Sequence, residues 1–266
     1  MHKKHWGIIL LFGFMLVSLV ACGGEDPTES SAEASEEIEA PSGEQVIQMA
    51  TSADFPPFES INEHGEFVGF DIDLAHKIAE ELGYGLEIQD MNFDGLIGAL
   101  QSERADMVMA GMSATEERQE NVDFSTSYHS SGEMFITQNG SDITSIEDIE
   151  GKTVGVQLGT IQEEGAEILQ EEYDFEIHAV DEATNIIQEL ITNRIDVGYM
   201  DTTVAEGYIE KQDLAGFEDP TEASPGMAIA FPKGSDLQDE VNEVIDQFIE
   251  DGTILELEEK WELDES

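Results

Sequence analysis

Three arginines stand among 61 acidic residues, and one of them, Arg118, closes a stretch rich in small and hydroxyl residues that begins at Ala110. Guanidinium is the group that makes paired, planar hydrogen bonds to a carboxylate. Asp201 stands at the C-terminal end of an apolar run, the position in an open α/β sheet where ligands bind. Each could meet an opposite charge on a ligand, since charges are expensive to bury unpaired. Each residue also has a plainer reading. Arg118 could be a surface arginine balancing Glu116 and Glu117, and Asp201 could cap the next helix. Thr160 is a cap for a helix near Ile161, a donor to an anion together with that helix end, or both. Phe55 and Phe93 offer aromatic walls or core packing, the latter more for Phe93, which opens an amphipathic stretch. Asp54, beside Phe55, could meet a ligand cation or face solvent.

Other chemistries find less support. The histidines are His2, His5, His64, His76, His129 and His178, and none joins a metal-like or triad-like spacing, so no metal or cofactor is expected. Carboxylate pairs are too abundant to mark an acid–base site. The formal charge of −51 excludes nucleic acid as a partner, because that binding rests on Lys and Arg neutralising phosphates. Disorder is excluded for most of the chain by 40% hydrophobic residues, 13 Phe among them.

The elements that must hold these residues follow two leader segments. Residues 1–21 carry Lys3 and Lys4, an apolar run and the ending Leu19-Val20-Ala21 before Cys22, the layout of a secretory signal. A membrane-spanning helix from Trp6 to Gly24 is the alternative. Residues 22–44 follow as an acidic flexible tether; eight acids, no cations and one large apolar residue, Ile38, cannot bury a core. Loss of residues 1–21 leaves 8 basic against 61 acidic side chains, −53, of which −8 lies on the tether and −45 on residues 45–266. From Gln45 onward short apolar runs alternate with amphipathic stretches, which predicts an α/β protein with largely parallel sheets. Strands are expected at 46–50, 107–110, 153–157, 176–180, 195–200 and 227–231. Helices are expected at 70–82, ending at Gly83, at 93–102, from 161, at 184–192, from 203, at 236–251 and at 254–261, and Thr115 caps a short turn through Arg118.

The motifs Phe55-Pro56-Pro57-Phe58-Glu59, Gly69-Phe70-Asp71-Ile72-Asp73-Leu74-Ala75, Gly111-Met112-Ser113-Ala114-Thr115-Glu116-Glu117-Arg118, Gly151 to Glu163, Ile195 to Asp201 and Gly252-Thr253…Lys260-Trp261 resemble bacterial extracellular solute-binding proteins of family 3. The resemblance spans residues 45–266. It implies a two-lobe type II periplasmic-binding-protein fold with the ligand cleft between the lobes. Lobe 1 would comprise 45–131 and 226–266, lobe 2 would comprise 132–225, and hinge crossovers would fall near Ser130–Glu133 and Glu222–Gly226. It casts Arg118 as clamp for an amino-acid carboxylate, assisted by Ser113 and by main-chain groups around Ala110, Gly111 and Thr160. Asp201 becomes the ammonium partner, and Phe55 and Phe93 become side-chain walls. Leu-Val-Ala-Cys resembles a lipobox, implying a lipid anchor on Cys22 at the outer face of a membrane. The implied partners are a free polar or cationic amino acid and the permease subunits of an ABC importer, for a chain expected as a monomer. Enzymes on the same fold, a dehydratase or a lytic transglycosylase, are one alternative. A sensory domain is another, but this chain shows no output domain.

Overall fold

The computed structural model describes residues 45–220 and 224–263. The apolar leader, Cys22, the tether, and Glu222 and Ala223 of the second crossover lie outside the described residues.

Two five-stranded sheets organise the chain. In the first, Val46–Thr51 is flanked by Gly85–Asp90 and Met107–Val108, both parallel to it; Ala230–Phe231 and Asp123–Phe124 complete the sheet, Ala230–Phe231 pairing antiparallel with both of its neighbours. In the second, Thr153–Gln157 pairs in parallel with Glu176–Val180 and Val197–Asp201, and Glu133–Gln138 and Leu214–Glu218 add antiparallel strands. Each of these two sheets is thus largely parallel, as expected, with one strand of the five reversed. The strand on which the chain enters a lobe, Glu133–Gln138 in the second and Ala230–Phe231 on returning to the first, runs against the βαβ direction, while the other four strands of each sheet run with it. Asp54–Phe55, Glu59–Ile61 and Phe67–Val68 form a third, three-stranded antiparallel sheet beside the cleft.

Helices cover the sheets because their apolar stripes have nowhere else to go. Phe70–Leu82 buries Ile72, Leu74, Ala75 and Ile78 and ends at Gly83, and Asp236–Asp251 buries Val241, Val244, Ile245 and Phe248. In the second lobe Ala183–Ile191 buries Ile186, Ile187 and Leu190. The C-terminal helix Thr253–Trp261 is pinned to the first lobe by Trp261 Nε1 and Lys260 Nζ, each 2.6 Å from Asp73 Oδ2.

Three expected elements are shorter than their sequence patterns. Phe93–Gly95 is a 3-10 turn, and the helix proper is Leu96–Gln101. The strand at 107–110 is paired as strand only at Met107–Val108. Of the run 227–231 only Ala230–Phe231 joins the sheet; Met227 makes isolated bridges to Ser113 and His129 because it still belongs to the crossing. There the two chain passages lie side by side, Met227 N–H donating to His129 O at 2.9 Å and Asp219 N–H to Glu133 O at 2.8 Å.

Candidate ligand-binding cleft

One cleft between the lobes gathers the candidate residues. It is lined by Asp54, Phe55, Phe93, Ala110, Gly111, Ser113 and Arg118 from the first lobe and by Thr160 and Asp201 from the second.

Arg118 is carried by the short helix Glu116–Asn121, whose N-cap Thr115 accepts from Arg118 N. The side chain is 5% exposed, and among the described residues no carboxylate reaches it at ion-pair distance, which is not the setting of a surface arginine balancing Glu116 and Glu117. Nη1 donates to Ser113 O and Nη2 crosses the cleft to Gly159 O, both at 2.9 Å. Cζ stands 5.4 Å from the centroid of the Phe93 ring. Desolvation by burial pulls the guanidinium's proton affinity down, yet two carbonyls and an aromatic face still leave most of its five N–H donors for an incoming anion.

Asp201 faces it from the other lobe, 3% exposed at the end of Val197–Asp201. Its Oδ1 accepts from Thr203 N and Val204 N, so the carboxylate is at once the N-cap of Thr202–Gln212 and part of the cleft. Burial raises it to about 7 against those two N–H bonds. Thr160 also combines two settings. It caps Ile161–Leu169 and lines the cleft, but its hydroxyl proton goes to Gln157 O at 2.7 Å, so the O–H expected for an anion is already engaged.

Gly111 differs from expectation too. Its N–H donates to Asp71 Oδ2 at 2.9 Å and is turned away from any ligand carboxylate. Its φ of +54° and the approach of Phe55 Cε1, 3.0 Å from where a Cβ would stand, explain why glycine is required. Ser113 Oγ lies 3.4 Å from Ser224 Oγ on the returning crossover. Ala110 is buried in the cluster that also contains Phe93, so Phe93 serves the core and the cleft together. Phe55 is half-buried and stacks on Phe58, ring centroids 5.9 Å apart.

Asp54 lines the cleft with its carboxylate already bonded across it. Its Oδ2 reaches the second lobe, accepting from Ala183 N at 2.5 Å and Gln157 Nε2 at 3.0 Å, while Oδ1 accepts from Ser52 Oγ. The first of these bonds satisfies an N–H at the start of Ala183–Ile191. Burial raises this carboxyl to about 6.

The cleft also contains residues to which sequence reasoning assigned no role. Glu133 lies against Gln162, whose Nε2 donates to Glu133 Oε2. Glu59 is fully buried at the start of Glu59–Ile61, lines the cleft, and receives no N–H or hydroxyl donor on either carboxyl oxygen, its polar neighbour being the carboxyl of Asp71. Burial first, then the charge of Asp71, pushes it well above the usual carboxylate range. Asp71, the first-turn acid of Phe70–Leu82, accepts from Gly111 N and Tyr128 O–H through Oδ2 and stands at about 6, raised by burial. The available signal for Glu59 was its place immediately after Phe58 in the aromatic–proline motif, submerged among 61 acids.

Two α/β lobes, paired crossings and a charged cleft between them define a type II periplasmic-binding-protein fold. Residues 47–264 match the sequence model of the bacterial extracellular solute-binding proteins, family 3, and the chain belongs to that family. It is similar to the arginine-binding extracellular protein ArtP of Bacillus subtilis (strain 168), 40% identical over 261 residues that cover 97% of this chain and 98% of that one. A solved ancestral arginine-binding protein bound to arginine superposes with a TM-score of 0.77 at 38% identity, covering 81% of this chain and 97% of the other. The ancestral amino acid-binding protein AncCDT-1, a precursor of cyclohexadienyl dehydratase, gives 0.75 at 35% identity over 81% and 95%.

Proposed function

We propose that this chain is the extracellular substrate-binding component of an amino-acid ABC importer, holding a polar or cationic L-amino acid of the arginine, lysine and glutamine class and passing it unchanged to the permease. The observation that carries the reading is the charge balance of the cleft. Arg118 is its one guanidinium, facing carboxyls from Asp54, Glu59, Glu133 and Asp201. An α-carboxylate on Arg118 and an α-ammonium on Asp201 would satisfy a zwitterion. The remaining acids favour a second positive charge on the ligand, since buried charges must be paired. With Asp54 spent on the second lobe and Glu133 holding Gln162, Glu59 is the carboxyl whose oxygens are open to that charge. Phe55 and Phe93 would flank the side chain. The arginine-binding relatives support the same class.

Closure supplies the mechanism. Arg118 to Gly159 and Asp54 to Ala183 and Gln157 bridge the lobes directly, and a ligand that bonds both Arg118 and Asp201 adds to the same contacts. It therefore binds the closed form better than the open one, which is what shifts the population. The permease would read the closed form. A lipid on Cys22 and the acidic tether would keep the protein at the outer face of the membrane, and replacing Cys22 should release it into the medium.

Calorimetric titration against the twenty amino acids tests the reading. Binding of one or a few from this class is expected, with the ligand recovered unaltered; a converted product would favour an enzyme. Arg118→Ala should weaken binding by roughly 30-fold or more, because truncating one partner of a buried charge pair costs about 2–5 kcal/mol. Unchanged affinity would remove Arg118 from the site.

A further inference from the structure

We propose that Glu59 holds a proton in the ligand-free cleft and gives it up when a cationic side chain enters, so that binding of arginine or lysine is coupled to release of a proton that a neutral side chain does not displace. The inference deepens the function proposed above and rests on it.

The geometry is that of two carboxyls sharing a site without a cation. Glu59 is fully buried with no N–H or hydroxyl donor on either oxygen and lies within hydrogen-bonding reach of the carboxyl of Asp71, which is also fully buried and whose Oδ2 takes Gly111 N–H and Tyr128 O–H. Among the described residues none of the ion pairs involves either acid. Two adjacent carboxylates cannot hydrogen-bond each other and repel; one proton between them turns the pair into a donor and an acceptor. Asp71 already has two donors, so the proton belongs on Glu59, and burial together with the charges of Asp71, Asp54 and Asp201 favours it there. The groups facing the pair come from every side. Asp54 stands on the strand paired with that of Glu59, Asp201 lies across the cleft, Arg118 and Glu133 line it, and Tyr128 stands behind. His129 packs against Phe58 at 5.3 Å between ring centroids and bonds Glu258. Of these only Arg118 is a fixed cation, and the proposed function commits it to the ligand carboxylate.

When a guanidinium or ammonium enters, the protonated carboxyl loses its proton to the buffer and the carboxylate pairs with the ligand. A neutral amide does not drive this exchange; it accepts a hydrogen bond from the carboxyl as it stands. Lower pH therefore weakens arginine relative to a neutral amino acid, by up to about tenfold per pH unit once Glu59 is protonated in the free protein.

The test is isothermal calorimetry of L-arginine in buffers of different ionisation enthalpy, with wild type and Glu59→Gln. Asp201 meets the α-ammonium of every ligand and contributes the same proton release in both proteins, so the difference between them reports Glu59. Wild type is expected to release more protons than Glu59→Gln, the difference approaching one per arginine. Equal release by both proteins overturns the coupling while leaving the binding function intact. Failure of wild type to bind any amino acid removes the function and the coupling together. Should the variant misfold, the wild-type affinity ratio between arginine and a neutral ligand, glutamine or citrulline, reads the same quantity. A ratio constant between about pH 6 and pH 8 overturns the proposal, and a ratio that falls toward acid supports it.

Discussion

The carboxylate of Asp201 serves two masters, the start of a helix and the cleft, and three aspartates in this region share a consequence of burial. Asp54 and Asp71 are raised to about 6 and Asp201 to about 7. Each therefore prefers its protonated form in the folded chain more than in the unfolded one. That contribution to stability is fully present below about pH 4 and is lost as pH rises through about 6 to 7. For Asp201 the shift from 3.8 to about 7 corresponds to something on the order of 4 kcal/mol. Ligand-free protein should accordingly melt higher at pH 5 than at pH 8 by scanning calorimetry, and a saturating amino acid should narrow the gap by bringing an ammonium to Asp201. A lower melting temperature at pH 5 would mean that acids held down by partners, such as Asp123 beside Lys233, dominate instead. At this scale the sequence was readable where chemistry is scarce: three arginines make Arg118 conspicuous. It was opaque where chemistry is common. Only its place after Phe58 in the aromatic–proline motif sets Glu59 apart from its many fellow acids, and nothing in the chain's order tells that Asp54 will find Ala183, 129 residues away.

The element that presents Arg118 is only six residues long, Glu116–Asn121, too short to persist without its cap and its packing. Thr115→Ala should cost about 1 kcal/mol in denaturant unfolding and weaken ligand binding as well, because the lost cap loosens the turn that aims the guanidinium. A variant that loses stability but binds as before would separate cap from clamp. Elements with strong periodicity were legible from composition alone. Phe70–Leu82, Thr153–Gln157, Glu176–Val180 and Asp236–Asp251 occur with the expected bounds. Apart from Ala230–Phe231, the antiparallel strands were not. Glu133–Gln138 is buried on both faces and so lacks the alternation that marks a half-exposed strand, and Asp54–Phe55 and Phe67–Val68 are two residues each, below any period. These invisible strands are the ones that cross between lobes or frame the cleft, so sequence pattern revealed the scaffold more readily than the parts that complete the site.

For the molecule as a whole, −45 on residues 45–266 is a surface that repels itself. Screening shortens from about 10 Å at 0.1 M salt to about 3 Å at 1 M. The melting temperature should rise with NaCl if the acidity is an adaptation to saline surroundings, and a flat response would count against that reading. Closure of so charged a body also needs a limit. Gly159, at φ +76°, comes so near the first lobe that an added Cβ would stand 3.0 Å from Asp94 Cα, main chain against main chain. Such a contact does not yield as a side chain does. It sets the distance at which the two halves stop, and hence the width left for whatever they hold. Gly159→Ala would act as a shim: scattering measurements on the liganded variant should show a larger radius of gyration than wild type, with binding weakened though no group that touches the ligand has been altered. The smallest residue in the chain is in this sense its gauge, fixing the size of the cargo by what it lacks.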